Sequence, residues 1–227
     1  MTRPSTIAID GPAGAGKSTI SEALAARYGY IFVDTGAFYR AITYTVIRKH
    51  IALDDRAGIA HLARTLQLRF QAIPGGYRLF ANDEDITGHL RSQAVDATVS
   101  TIAQMPEVRE ALLPLQRAAA DQGNIILAGR DIGSVVIPDA DLKLYIDATV
   151  GERARRRYAQ LGGQDAATSL ESIEKALVQR DKTDSERSHS PLVRSPDAVY
   201  ILTDDMSVEE VVAHIGTIIQ AWPHHKT

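Results

Sequence analysis

The sequence predicts an α/β fold with a parallel sheet covered on both faces by helices. Three observations predict it. Short apolar runs at Ile7-Ala-Ile9, Tyr30-Ile-Phe-Val33, Asn124-Ile-Ile-Leu-Ala128, Leu142–Asp147 and Ala198-Val-Tyr-Ile-Leu202 read as buried strands. Segments with apolar residues at helical spacing separate them. Gly11 to Ser18 spell G-x-x-x-x-G-K-S, placed after the first strand and before a helix. A chain of 227 residues suits one or two domains and can bury a large core.

In order, the first helix follows the glycine loop, with Ile20, Ala23, Leu24 and Tyr28 on one face. The second strand ends at Asp34-Thr-Gly36, and a helix runs on to about Lys49. Residues 59 to 66 look helical. The period then changes to two: Leu66, Leu68, Phe70 and Ala72 alternate, Pro74-Gly-Gly76 turns, and Tyr77-Arg-Leu-Phe80 returns. Glu84-Asp-Ile-Thr87 is expected to add a short third strand, so residues 60 to 90 read as an inserted β subdomain. Helices are expected near 91–104 and 106–121. Pro106 suits a first helical position, and Pro114 is expected to kink or split the second of these helices. Val150–Leu161 reads as an arginine-rich helix and 168–187 as a charged one. Ser207-Val-Glu-Glu210 is a capping box opening the last helix, whose stripe includes Val211, Val212, Ile215 and Ile219.

Composition excludes several classes. Hydrophobic content is 44%, ordinary for a globular protein. No apolar run is long enough to span a bilayer, and no charged-then-apolar leader opens the sequence. There is no cysteine, hence no disulfide framework and no thiolate metal site, which fits a reducing cytoplasm. Net charge is −3, so there is no global basic field for nucleic acid. Cations that meet a polyanion must therefore be clustered locally.

The glycine loop carries the chemistry. Its glycines let successive N–H groups point into one concavity, and the helix N-terminus adds partial positive charge there. Lys17 can reach outer phosphates, and the Ser18 hydroxyl can ligate Mg²⁺. The arginines cluster as well. Arg153, Arg156 and Arg157 share one helix face, and Arg180 and Arg187 are spaced to share another. Arginine favours planar, bidentate phosphate recognition. Asp184, close to Arg180 and Arg187 in sequence, leaves a plain salt-bridged helix open as an alternative. Ligands of parallel sheets bind beyond the C-terminal strand ends. The glycine loop, Asp34-Thr-Gly36 and Gly129-Arg-Asp131 all fall there and are expected to converge.

Six stretches then resemble one family: Ile9-Asp-Gly-Pro-Ala-Gly-Ala-Gly-Lys-Ser18, Asp34-Thr-Gly-Ala-Phe-Tyr-Arg40, Val108-Arg-Glu-Ala-Leu112, Gly129-Arg-Asp-Ile-Gly133, Glu152-Arg-Ala-Arg-Arg-Arg157 and Arg180-Asp-Lys-Thr-Asp-Ser-Glu-Arg187. The chain resembles bacterial cytidylate kinases. The resemblance implies a P-loop NTPase three-layer sandwich with a small inserted β subdomain and a helical lid. It implies transfer of phosphoryl from ATP, with Mg²⁺, to CMP and dCMP in pyrimidine nucleotide metabolism. Matching positions imply ATP binding by Gly11, Pro12, Ala13, Gly14, Ala15, Gly16, Lys17, Ser18, Thr19 and Arg156, with Ser18 on the metal. They imply CMP binding by Thr35, Tyr39, Arg40, Ser100, Arg109, Arg130, Asp131, Arg180 and Arg187. Of these, Arg40 falls on the phosphate, Ser100 and Arg109 on the base, Asp131 on the ribose and Arg187 near the sugar. Lys17, Arg130, Arg153 and Arg157 fall to catalysis. A single domain is implied, with a core of 1–34, 106–150 and 188–227, an acceptor-binding insert of about 35–105 and a lid of about 151–187. A cytoplasmic monomer without nucleic-acid or membrane partners is expected.

One position departs from the pattern: Ala128 stands where the family often has an aspartate that supports Mg²⁺ through water. A GTPase-like switch lacks its guanine-reading N-K-x-D here. Leu144-Tyr-Ile-Asp147 looks like a Walker-B strand, yet a strand ended by a helix-starting aspartate explains it as well. A small-metabolite kinase would not need the β insert or the distal arginines. An RNA-binding module would use the basic run 153–157, but aromatic interleaving is missing. His224 and His225 read as a polar tail.

Overall fold

The structure, a computed structural model, describes residues 3–73, 76–163 and 168–222. Its first half runs β1 (Thr6–Asp10), α1 (Lys17–Tyr28), β2 (Ile31–Asp34), α2 (Gly36–Arg48), α3 (Arg56–Thr65), β3 (Leu68–Ile73), β4 (Gly76–Ala81), β5 (Glu84–Asp85) and α4 (Gln93–Ala103). Its second half runs α5 (Pro106–Ala120), β6 (Ile125–Ala128), β7 (Leu142–Asp147), α6 (Val150–Gln160), α7 (Leu170–Glu186), β8 (Val199–Leu202) and α8 (Val208–Ala221). The turn at Pro74-Gly75 and the histidine tail lie outside the described residues.

Five strands form one parallel sheet in the order β2-β6-β1-β7-β8. Successive side chains of a strand point to opposite faces, and the two faces carry separate cores. Ile7 and Ile9 pack with α1 and α8 through Leu24, Val211 and Ile215. Ala8, Val33 and Leu127 pack with α2, α4 and α5 through Phe38, Ile42, Ile102 and Leu112. This is the expected three-layer arrangement. The capping box is formed, Glu210 N donating to Ser207 Oγ at 3.2 Å while Glu210 Oε2 accepts from Ser207 N at 2.8 Å.

β3, β4 and β5 make the expected antiparallel piece, with Phe70 opposite Leu79. Residues 60–65, within the bounds expected for it, are helix. Leu79, Ala81 and Ile86 join the core under α2 and α4. Pro114 does not split its helix: α5 runs unbroken from Pro106 to Ala120. Pro114 is exposed, as is Glu110, whose carbonyl loses the usual i+4 donor. Water can satisfy that carbonyl, so the proline is tolerated.

The register aligns the C-terminal strand ends. Asp34 and Ile9 both sit beside Ala128, and Asp10 sits beside Tyr145. The three loops that follow β1, β2 and β6 therefore leave the sheet at one edge. α3 joins the α2 core through Ile59 and Leu62, while α6 and α7 pack on each other through Ala154, Ile173 and Leu177, and on Ala13 of the glycine loop.

Candidate active site

The loop between β1 and α1 is held by close approach. Gly11 has φ 148°, and a Cβ there would lie 1.9 Å from the Ile146 carbonyl oxygen. Only glycine fits that contact. Gly16, with φ 88°, N-caps α1. Pro12, Ala13 and Ala15 are buried, while Gly14 and Thr19 are exposed. Lys17 is buried, and its Nζ donates to the Pro12 carbonyl at 2.7 Å. Burial, then the nearby Arg130 guanidinium, pulls its ammonium well below the ordinary lysine range. Ser18 Oγ donates to Asp34 Oδ2 at 3.3 Å. These are hard oxygen donors of the kind Mg²⁺ takes. Among the described residues no group of three or more His, Cys, Asp and Glu could hold a metal alone, so a cation here depends on oxygens brought by a ligand.

Across the sheet edge lies a nest of arginines. Arg130 Nε pairs with Asp184 Oδ2 at 2.9 Å. Arg109 pairs with Asp131, and Arg187 lies 3.7 Å from Asp131 and 3.8 Å from Asp184. Arg180 is different. Asp184 was open in the sequence as its helix-face partner, yet it turns to Arg130 and Arg187 instead. Arg180 makes no ion pair among the described residues. Burial, then Arg130, brings its guanidinium down to about 10. Arg180 Nε, Arg109 Nε and Arg187 Nη2 are all buried without an acceptor. Buried donors are normally satisfied; these three guanidinium nitrogens are not, among the described residues.

Next to it is a slot of about 80 Å³ lined by Tyr39, Arg109, Gln116 and Asp131. Pockets that enclose a whole organic ligand run to roughly 300 Å³ or more, so this slot is too small to enclose a whole nucleotide. The Arg109 guanidinium lies 5.2 Å from the Tyr39 ring centroid, and burial lifts the Tyr39 phenol above its usual range.

A family model described as cytidylate kinase matches residues 7–221. The chain belongs to the cytidylate kinase family. As a member it is a kinase, a phosphotransferase. It is 45% identical to a cytidylate kinase of Geobacter sulfurreducens over 94% of this chain and 92% of that one. It is 42% identical to one of a Geobacillus species (strain WCH70) over 94% and 95%. A crystal structure of an uncharacterized protein from Eubacterium ventriosum shares the fold, with a TM-score of 0.54 at 12% identity, covering 95% of this chain and 98% of that one.

In this cytidylate kinase family member the three arginines of α6, expected as one face, go to three places. Arg153 is buried and fully engaged: Nε donates to the Ala148 carbonyl at 2.9 Å, Nη1 to the Ala13 carbonyl at 3.0 Å, and Nη2 pairs with Asp181 at 2.6 Å. It braces the glycine loop against α7. Arg156 joins Glu152 at 2.7 Å and the Thr203 carbonyl at 2.6 Å, and lies 3.5 Å from the Ala15 carbonyl. Arg157 reaches Asp96. Arg40 also meets Asp96, and it donates to the Leu90 carbonyl at 2.9 Å.

Of the acceptor-side residues, Tyr39, Arg109 and Asp131 line the slot; Thr35, Arg40, Ser100, Arg130, Arg180 and Arg187 do not. Thr35 spends its hydroxyl on the Ala128 carbonyl, 2.9 Å away, and ties β2 to β6. Ser100 stands on α4, one turn after Asp96, and does not line the slot. Asp147 is not the helix cap either. It accepts from Ala148 N at 2.8 Å and from Tyr200 Oη at 3.1 Å, while Thr149 caps α6.

Sequence reasoning passed over Asp10, Asp34 and Asp96. Asp10 is buried at the end of β1 and takes both the Ile132 and Gly133 amides at 2.8 Å. Burial raises its carboxyl to about 6. Asp10 and Asp34 each end a buried strand at the ligand edge, which was a readable signal. Asp96 had none, since an acidic residue in a helix's first turn is ordinary.

Proposed function

We propose that this protein transfers the γ-phosphoryl group of ATP to CMP and dCMP, in line and with Mg²⁺, giving CDP and dCDP. The observation that carries the reading is the set of buried guanidinium nitrogens without acceptors on Arg109, Arg180 and Arg187, gathered with Arg130 near the glycine loop and the slot at Tyr39. The names of the relatives supply the nucleotide.

ATP phosphates sit in the concavity of Gly11–Thr19, with Lys17 swung from the Pro12 carbonyl onto the outer phosphates. Ser18, supported by Asp34 in place of the carboxylate missing at Ala128, holds the metal; when bound, the metal neutralises phosphate charge and draws donor and acceptor together. The acceptor's base enters the slot, where Arg109 meets its polar edge and Asp131 reaches the ribose. A site built for one base edge leaves groups unpaired when the wrong base enters. The acceptor phosphate lies toward Arg40, Arg130 and Arg180. Positioning and charge stabilisation do the work, and no protein nucleophile is used. Arg153 and Arg156 hold α6 over the donor, which excludes water.

In this reading residues 1–34, 106–150 and 188–227 form the core, about 35–105 bind the acceptor and about 151–187 are the lid. The protein acts in the cytoplasm as a monomer on free nucleotides; no described helix is long and apolar enough to cross a membrane. The test is an acceptor screen with ATP and Mg²⁺ against CMP, dCMP, UMP, AMP, GMP and shikimate, read as ADP formed and phosphorylated acceptor. CMP and dCMP should lead by far. Equal use of AMP and UMP would sink the base assignment.

A further inference from the structure

Asp96 stands in the first turn of α4, and its two oxygens face cations from opposite sides of the cleft. Oδ1 accepts from Arg40 Nη1 at 2.6 Å, and Oδ2 accepts from Arg157 Nη2 at 2.8 Å. Arg40 belongs to α2 and Arg157 to α6, so one carboxylate bridges residues 56 and 61 positions away in the chain. Among the described residues, Asp96–Arg157 is the hydrogen-bonded ion pair that joins α6 and α7 to residues 35–105. The two halves are unequal. Arg40 is also anchored by the Leu90 carbonyl and is 19% exposed, whereas Arg157 is 37% exposed and holds otherwise only its helix neighbour Gln160, at 3.5 Å. The Arg157 half is the one that can let go.

An exposed ion pair contributes little. This one differs because of what surrounds it. Arg180 lies close enough to feel both the repulsion of Arg40 and the attraction of Asp96. Without a carboxylate at 96, Arg180 loses one of the charges that offset the repulsion of Arg40, and Arg157 loses its partner on α4, so α6 is held by its donor-side contacts alone. The rest of the α6 contacts, Arg153 to Ala13 and Arg156 to Thr203, lie on the donor side and do not involve Asp96.

We propose that Asp96 is a lid-positioning residue: it latches α6 to the acceptor side through Arg157 while holding Arg40 ready for the acceptor's phosphate. The second half rests on the proposed function; the latch itself does not. A phosphate bound between Arg40 and Arg180 relieves their repulsion while Asp96 keeps Arg40 in place for it and Arg157 on α4, so acceptor binding and the latched position of α6 favour each other.

The test uses the full chain. It has no cysteine, so Val178→Cys on α7 and Ala118→Cys on α5, both exposed, take a fluorophore pair that reports lid distance without nucleotide. Asp96→Asn should lengthen that distance, Arg157→Gln should do the same, and the double variant should go no further. In kinetics, Asp96→Asn should raise KM for CMP about tenfold and leave KM for ATP within about twofold. Thermal melts of each variant guard against simple misfolding, and Asp96→Glu should recover part of the closed distance. An unchanged distance in Asp96→Asn, additive shifts in the double variant, or equal losses toward ATP and CMP would overturn the proposal. Should CMP prove not to be the acceptor, the nucleotide-free distances still decide the latch.

Discussion

Arg180→Met should make the protein more stable and a poorer kinase at once. The Arg180 guanidinium is buried without an ion pair, and its pKa falls to about 10, against about 12.5 in water. At 1.36 kcal/mol per pKa unit, the charged form costs about 3 kcal/mol relative to the unfolded chain. Partial relaxation brings the realised gain on removing it to about 1–2 kcal/mol. Methionine keeps most of the aliphatic stem and its packing. For a chain of this size each kcal/mol moves Tm by roughly 2–4 °C, so the variant should melt about 2–8 °C higher. In the proposed function the same change removes a charge-assisted contact to the acceptor phosphate, on the order of 1.5–3 kcal/mol, so KM for CMP should rise about 10- to 100-fold. Calorimetry gives the first number and steady-state kinetics the second. Saturating CMP, which adds about 2.7 kcal/mol at 100 Kd, should narrow or reverse the Tm gap. A variant that melts lower than wild type with KM unchanged would refute the view of Arg180 as a cation awaiting an anion.

Asp10 gives a pH dependence. Its folded-state pKa, about 6, lies above the 3.8 of the free carboxyl, so the folded protein holds this proton more tightly than the unfolded chain does. The stability it contributes is present below about pH 4 and is lost as pH rises through 6, about 3 kcal/mol in all. Urea unfolding at pH 4 to 7 should show that slope in the wild type and not in Asp10→Asn; identical slopes would remove the assignment. Gly11→Ala should lose more than about 2 kcal/mol of stability and most ATP binding, because its Cβ meets the Ile146 carbonyl at a φ of 148°; differential scanning and a nucleotide titration check both. Arg109→Met should flatten base preference in the acceptor screen, and Lys17→Ala should abolish turnover with every acceptor. Equal loss across bases in the first variant would contradict the base-reading role.

Local pattern determined a good deal of this protein. Short aliphatic runs can bury both faces only in a covered parallel sheet, and the spacing of Gly11, Gly16, Lys17 and Ser18 needs no tertiary information to be read as a phosphate loop. Strand ends named the edge where ligands bind, because every parallel strand delivers its C-terminus to the same side. That Pro114 does not split α5 could not be read locally, since whether a helix survives proline depends on whether the freed carbonyl faces water, and burial is a property of the fold. Helical spacing placed Arg153, Arg156 and Arg157 on one face, but it could not say that Ala13, Thr203 and Asp96 await them there. Those partners lie tens of residues away in the chain. Only packing α6 across the sheet edge, between the glycine loop and α4, decides that Arg157 meets Asp96 and Arg153 meets Asp181, and that Arg180 has no ion pair among the described residues.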